Sequence, residues 1–287
     1  MRQFPLWVPT DSGPVAAIVT APDEDPQGVV VTLAGTGRHI TIGSTMSARL
    51  SERVVEHGLA SVRFDYAGVG DSPGSVESWR LSDVEAVTRQ ALAVTRLACE
   101  ALEVPRFACV GTCYGSRVAL NLVTDAACIG AVCLAPPVLD HGNVVNLGRS
   151  VGHRRRFSFV RSNPVFRKAV YEPLRSAVKQ SKLTPSIPRA LAALDHAELV
   201  FLYSDNYERD HLNDRVRAVL EEAAAKLPAD RRERFALHVV DTGALTLFEV
   251  LPPSEQTLIL DLVLPVLHGW FDRSATEAEA GAVLQPS

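Results

Sequence analysis

Residues 106–120, RFACVGTCYGSRVAL, decide the fold. Arg106 to Val110 form a short apolar run of the kind that serves as a buried strand, and from Tyr114 to about Thr124 the apolar positions recur at helical spacing. Between them stands GTCYG, residues 111–115. Glycines on both sides of the central residue allow the chain to reverse from strand to helix without side-chain overlap, so the segment reads as a nucleophile elbow with Cys113 at its tip and Gly111 and Gly115 as its flanks. At the positive end of a helix the thiolate is favoured over the thiol. The N–H of Tyr114, one residue on, is then a candidate oxyanion donor.

Working outward, the same strand and helix alternation recurs on both sides. Upstream, Phe4 to Val8 and Val15 to Ala21 read as a hairpin around the turn PTDSGP. They are followed by a wholly apolar strand Val29 to Ala34, a helix Thr45 to His57 stopped by Gly58, a strand Leu59 to Asp65 and a helix near Ser82 to Glu103. Downstream come strand Ile129 to Ala135, then, after a break, strand Leu199 to Tyr203, helix Leu212 to Lys226, strand Phe235 to Val240 and a last helix Ser254 to Phe271. Alternation at this spacing predicts an α/β fold with a mostly parallel, eight-stranded sheet. Pro136 and Pro137 interrupt the pattern, and 138–196, basic and helical with several prolines, reads as an inserted cap. The expected organisation is a core of 1–137 and 197–273, a cap of 138–196, and a disordered tail of 274–287.

Composition narrows the function classes. With 287 residues, 47% hydrophobic and 22% charged, the chain is globular rather than disordered, collagenous or coiled. No window approaches the roughly 18 to 20 uncharged apolar residues of a membrane span, and the N-terminus lacks a signal-peptide core, so the reading is cytoplasmic with no membrane partner. Five cysteines, at 99, 109, 113, 128 and 133, are odd in number and lack C-x-x-C spacing, which argues against a disulfide framework and against structural zinc. No metal-ligand spacing or cofactor motif is present, and none is expected to be bound. Net charge is −4, yet residues 149–189 carry eleven Lys or Arg against the single acid Glu172. Such a surface would attract the phosphate of a phosphopantetheine arm, coenzyme A or an acidic acyl carrier protein, with Arg154, Arg155 and Arg156 as the densest contact. Aromatics do not interleave with the basic run, so nucleic acid is not the expected partner.

On these residues the chain resembles the α/β-hydrolase fold superfamily over nearly its whole length. LAGTG at 33–37 stands where many members carry His-Gly-Gly, and RFDYAGVGDSPG at 63–74 is similar to the Arg-Phe-Asp-Tyr-Arg-Gly-x-Gly-x-Ser run of the family. Within it, the cysteine at the elbow resembles dienelactone-hydrolase and thioesterase-type enzymes. The resemblance implies a second oxyanion donor at the N–H of Thr36, and an acid after the strand ending at Tyr203, for which Asp205 is the first candidate and Asp210 the second. Asp65 and Asp71 read as loop anchors.

The family's histidine, in the loop after the final strand, has no counterpart: VVDTGALTLFE, 239–249, has Leu245 where it is expected. His238 precedes that loop and His268 lies deep in the last helix. Substitute bases are His39 in the oxyanion loop, His141 after strand Ile129 to Ala135, and His211 near the acid loop, while His57, His153 and His196 read as structural or solvated. Acylation of a thiolate needs no base, whereas attack by water on the acyl-enzyme does. The expectation is therefore an acyl-transfer enzyme, a thioesterase, acyltransferase or cyclising off-loading enzyme of natural-product biosynthesis. The alternatives are a lyase, cyclase or isomerase without a covalent intermediate, and a binding pseudo-enzyme.

Overall fold

The computed structural model describes residues 1–35, 45–74, 84–138, 183–205, 214–243, 245 and 251–283. By contacts the chain divides into two compact units, Met1–Pro137 with Arg189–Ser287, and Val138–Pro188. The sequence set the second boundary at residue 196. The division by contacts falls after Pro188, where Arg189 pairs with Glu85 at 2.6 Å and Ala190, Leu191, Ala193 and Leu194 are buried.

Among the described residues eight strands form one sheet: β1 (Arg2–Val8), β2 (Val15–Ala21), β3 (Val29–Leu33), β4 (Ala60–Phe64), β5 (Phe107–Thr112), β6 (Cys128–Leu134), β7 (Glu198–Ser204) and β8 (Phe235–Val240). Their spatial order is β1-β2-β4-β3-β5-β6-β7-β8, with β1–β2 and β2–β4 antiparallel and every other pair parallel. This is the eight-stranded, mostly parallel sheet expected from the alternation. Val29, Val30, Val31, Thr32 and Leu33 are all buried, as a strand covered by helices on both faces requires. The β1–β2 turn closes through Gly13, which at φ 111° adopts a conformation few side chains tolerate and donates to the Thr10 carbonyl at 3.0 Å.

The helices bury one stripe each against this sheet. In α1 (Thr45–Glu56) the stripe is Met46, Leu50 and Val54; in α2 (Val84–Ala101) it is Val84, Val87, Ala91, Val94 and Ala98. Helix α3 (Tyr114–Leu122) is buried almost all round, as its place beside the central strands demands. Next come α4 (Ser186–Ala192), a 3₁₀ turn Ala193–Asp195, α5 (Asp214–Ala225) and a short α6 (Ala229–Arg232) that the sequence pattern did not predict. The last of these brings Arg232 Nη2 onto the Ala225 and Leu227 carbonyls at 2.8 and 3.1 Å, covering the end of α5.

The final helix, α7 (Pro253–Val283), corrects the expectation of a disordered tail from residue 274. Ser274 is buried and its carbonyl and hydroxyl accept from Arg106, and the SATEAEAGAV stretch beyond is rich in the strong helix formers alanine and glutamate. Earlier in α7, Trp270 and Phe271 sit against Gly130 and Gly28, where a Cβ would overlap their rings. Trp270 Nε1 also donates to Glu198 at 2.7 Å. Among the described residues no helix is long and apolar enough to cross a membrane.

Candidate active site

The elbow sits at the carboxyl edge of β5, between β3 and β6, the edge at which open α/β sheets bind ligands. Cys113 occupies the N-cap position of α3 with φ 50° and ψ −111°, a strained backbone for a residue with a Cβ. Close packing requires the flanking glycines. A Cβ on Gly111 would stand 2.7 Å from the Gly115 carbonyl carbon and Ser116 Cα, and one on Gly115 would overlap the Leu33 carbonyl.

Ser116 holds the turn in place. Its hydroxyl donates to the Gly111 carbonyl at 2.7 Å and also approaches the Leu134 carbonyl at 3.2 Å, its N–H donates to the Cys113 carbonyl at 3.1 Å, and Cys113 N–H donates to Leu134 at 2.8 Å. Gly35 lies against the elbow from the β3 side, where an added Cβ would be 3.6 Å from that of Cys113. The sequence reading passed over Ser116. Its signal is a small hydroxyl residue two places past Tyr114, in the first turn of a largely buried helix.

The thiols differ in accessibility. Cys113 is half-buried, while Cys109, Cys128 and Cys133 are buried, and none of the five is in a disulfide. Burial pushes the Cys99 thiol up to about 12, with Asp125 and Cys128 adding to the effect, and burial likewise raises Cys109 and Cys133. Cys113 caps a helix whose first turn has no acidic residue to offset its positive end. The first turn instead carries Arg117, whose guanidinium carbon lies 6.0 Å from the centroid of the Tyr114 ring. Sequence reasoning missed Arg117 as well, although a cation in the first turn of the elbow helix is an identifiable signal.

Asp205 directly follows β7, its side chain exposed and its N–H donating to Val240 at 3.0 Å. It thus stands at the same sheet edge as Cys113, with β6 between their strands, and two strand spacings amount to about 10 Å. Asp65 is an anchor as expected: buried, it accepts the Asp71 N–H at 2.9 Å. Thr36, His39, His141, His153, Asp210, His211 and Arg154 to Arg156 lie outside the described residues.

The four described histidines all have other settings. His57 precedes β4 and stacks edge to face on His268, centroids 5.7 Å apart, at the amino edge of the sheet. His268 Nδ1 also meets Asp272 at 2.9 Å. His196, just before β7, contacts Asp195 at 2.7 Å and the Val123 carbonyl at 3.1 Å. His238 is level with Thr112 through the register Thr112, Leu134, Leu202, His238, but three strand spacings away, about 14 Å. Leu245 lies in the connection from β8 to α7 and is fully buried. Around it, Gly243 N–H donates to Glu255 at 2.6 Å, and Gln256 Nε2 donates to the Leu251 carbonyl at 3.0 Å. Among the described residues no group of three His, Cys, Asp or Glu could hold a metal ion.

No protein-family model matches the chain, and neither does any curated protein. Solved structures do. A thermostable carboxyl esterase from Bacillus coagulans superposes with a TM-score of 0.63 at 12% identity, covering 94% of this chain and 99% of its own. A dienelactone hydrolase from Anabaena variabilis gives 0.57 at 13% identity, covering 95% and 97%. A proline iminopeptidase-related protein from Thermus thermophilus gives 0.54 at 20% identity, covering 94% and 100%. Together with the strand order and the backbone of the elbow, these likenesses establish that the chain has the α/β-hydrolase fold.

Proposed function

We propose that the protein is an acyl-transfer enzyme in which Cys113 takes an acyl group from a thioester or activated ester. The observation that carries the reading is the strained Cys113 at the strand-to-helix turn, half-buried where three of the other four cysteines are buried and the fourth, Cys99, is pushed up by burial. In the first step the thiolate Sγ attacks the carbonyl carbon, and the N–H groups of Tyr114 and Thr36 stabilise the oxyanion. Collapse forms a thioester on Cys113 and expels the leaving thiolate or alkoxide, which takes a proton from solvent or a nearby acid. In the second step a water, alcohol, amine or thiol attacks that thioester, loses its proton to a base and regenerates the Cys113 thiolate. Asp205, His141 and His39 are the candidates for proton transfer. The esterase and dienelactone hydrolase among the structural neighbours support acyl chemistry, and the basic 149–189 segment supports a substrate carried on coenzyme A or an acyl carrier protein.

The buried Leu245 favours transfer over hydrolysis, because water is the acceptor most dependent on a general base. It also favours a second reading, a pocket that catalyses elimination or isomerisation without a covalent intermediate, or binds without turnover. Intact-mass spectrometry of the wild type and Cys113→Ala after exposure to acyl-N-acetylcysteamine and acyl-coenzyme A thioesters separates the two. An acyl adduct in the wild type that is absent from Cys113→Ala supports acyl transfer. Absence of adduct and turnover, with Cys113 alkylated by iodoacetamide no faster than an ordinary exposed thiol, overturns it.

A further inference from the structure

Among the described residues Arg117 has no counter-ion. Its Nε is buried without a hydrogen-bond partner among the described residues, and its guanidinium lies over the face of the Tyr114 ring, at the outer limit of a cation–π interaction. A buried Nε without an acceptor is unfavourable, and so is a cation in the first turn of a helix, where the backbone dipole repels it. Both penalties are relieved when an anion arrives. The position is also close to the chemistry: Cys113 is the N-cap and Arg117 the fourth residue after it, about 6 Å along the helix axis.

We propose that Arg117 recognises a carboxylate on the acyl portion of the substrate, so that the favoured acyl group is a short dicarboxylic acid joined through one end. This rests on the reading of Cys113 as the acyl acceptor. The planar fork of the guanidinium matches a carboxylate with two parallel hydrogen bonds. A carboxylate two or three methylenes from the reacting carbonyl spans one helical turn. The phosphate of a carrier arm lies on the leaving-group side, many bonds from the thioester sulfur, and does not reach this residue.

Succinyl- and butyryl-N-acetylcysteamine have acyl chains of equal length and differ at the terminal carboxylate. In the wild type the succinyl compound has the higher kcat/KM. The succinyl-to-butyryl ratio falls roughly 10- to 100-fold in Arg117→Met and is partly retained in Arg117→Lys, which keeps the charge but loses the fork. No succinyl preference in the wild type, or an unchanged ratio in Arg117→Met, overturns the proposal. Alkylation supplies a readout independent of turnover: the ratio of iodoacetate to iodoacetamide rates at Cys113 drops in Arg117→Met, and equal ratios in the two proteins count against the site. An iodoacetate preference without any acyl adduct overturns the acyl-transfer reading alone, whereas an acyl adduct without that preference overturns the carboxylate site alone.

Discussion

The hydroxyl of Ser116 donates to the carbonyl of Gly111 across 2.7 Å, closing the elbow behind Cys113. A buried hydrogen bond of this kind contributes about 1 kcal/mol, and leaving a carbonyl unsatisfied costs somewhat more. Ser116→Ala is expected to lower stability by about 1 to 2 kcal/mol in urea unfolding and to slow alkylation of Cys113, because the strained backbone loses its brace. Unaltered alkylation would mean that the other contacts hold the turn unaided.

Gly115 within the elbow and Gly35 packed against it differ in tolerance. Gly115→Ala drives a methyl into the Leu33 carbonyl and is expected to abolish folding or to cost more than about 3 kcal/mol. Gly35→Ala meets only ordinary contacts, at 3.4 Å from the Thr112 carbonyl and 3.6 Å from Cys113 Cβ. Its stability is expected to stay within about 1 kcal/mol of wild type. Comparable melting temperatures for the two variants would contradict the packing described.

Leu245→His tests whether proton transfer lacks a base at this position. Burying an imidazole in place of a fully buried leucine is expected to cost about 1 to 3 kcal/mol. Where the variant folds, the acyl adduct on Cys113 is expected to disappear faster in water, read by mass spectrometry over time. An adduct as long-lived as that of the wild type would show that a base at residue 245 does not limit deacylation.

Alkaline pH is expected to destabilise the protein through Cys99. Its thiol has an ordinary value of 9.0 and is held at about 12 by burial in the folded chain. The unfolded chain therefore releases a proton first, and stability that is fully present below pH 9 is lost as pH climbs toward 12, at about 1.4 kcal/mol per pH unit for this one group. Urea midpoints at pH 8, 9 and 10 should fall less steeply in Cys99→Ala than in wild type. Parallel losses would assign the alkaline sensitivity to other groups.

The sheet was legible because its signals are local. Val29 to Leu33 is apolar without interruption, GTCYG permits one backbone path, and strand limits such as Val15–Ala21 and Phe235–Val240 agree with the periodicity to the residue. The tail was misread for a physical reason: Ser274 is polar by composition, yet is buried by a contact with Arg106 that is 168 positions away in the chain. Distance along the chain likewise hides why His57 and His268 meet. Of the candidate site, Cys113, Tyr114, Asp205 and Leu245 could be placed by counting along elements. Ser116 and Arg117 carry a local signal, but whether a neighbour accepts their hydrogen bonds is a property of the packing, which composition does not record.

Trp270 and Phe271 occupy niches that Gly130 and Gly28 leave open beside β6 and β3. These rings arrive late in synthesis, after every strand has been made. Until then one face of the central sheet has two unfilled slots of aromatic size, and the nascent protein must wait with that surface unsealed. The core can thus close only once these two side chains have been made, later than the elbow, and a message truncated shortly before codon 270 would yield a complete set of strands with no plug to lock them.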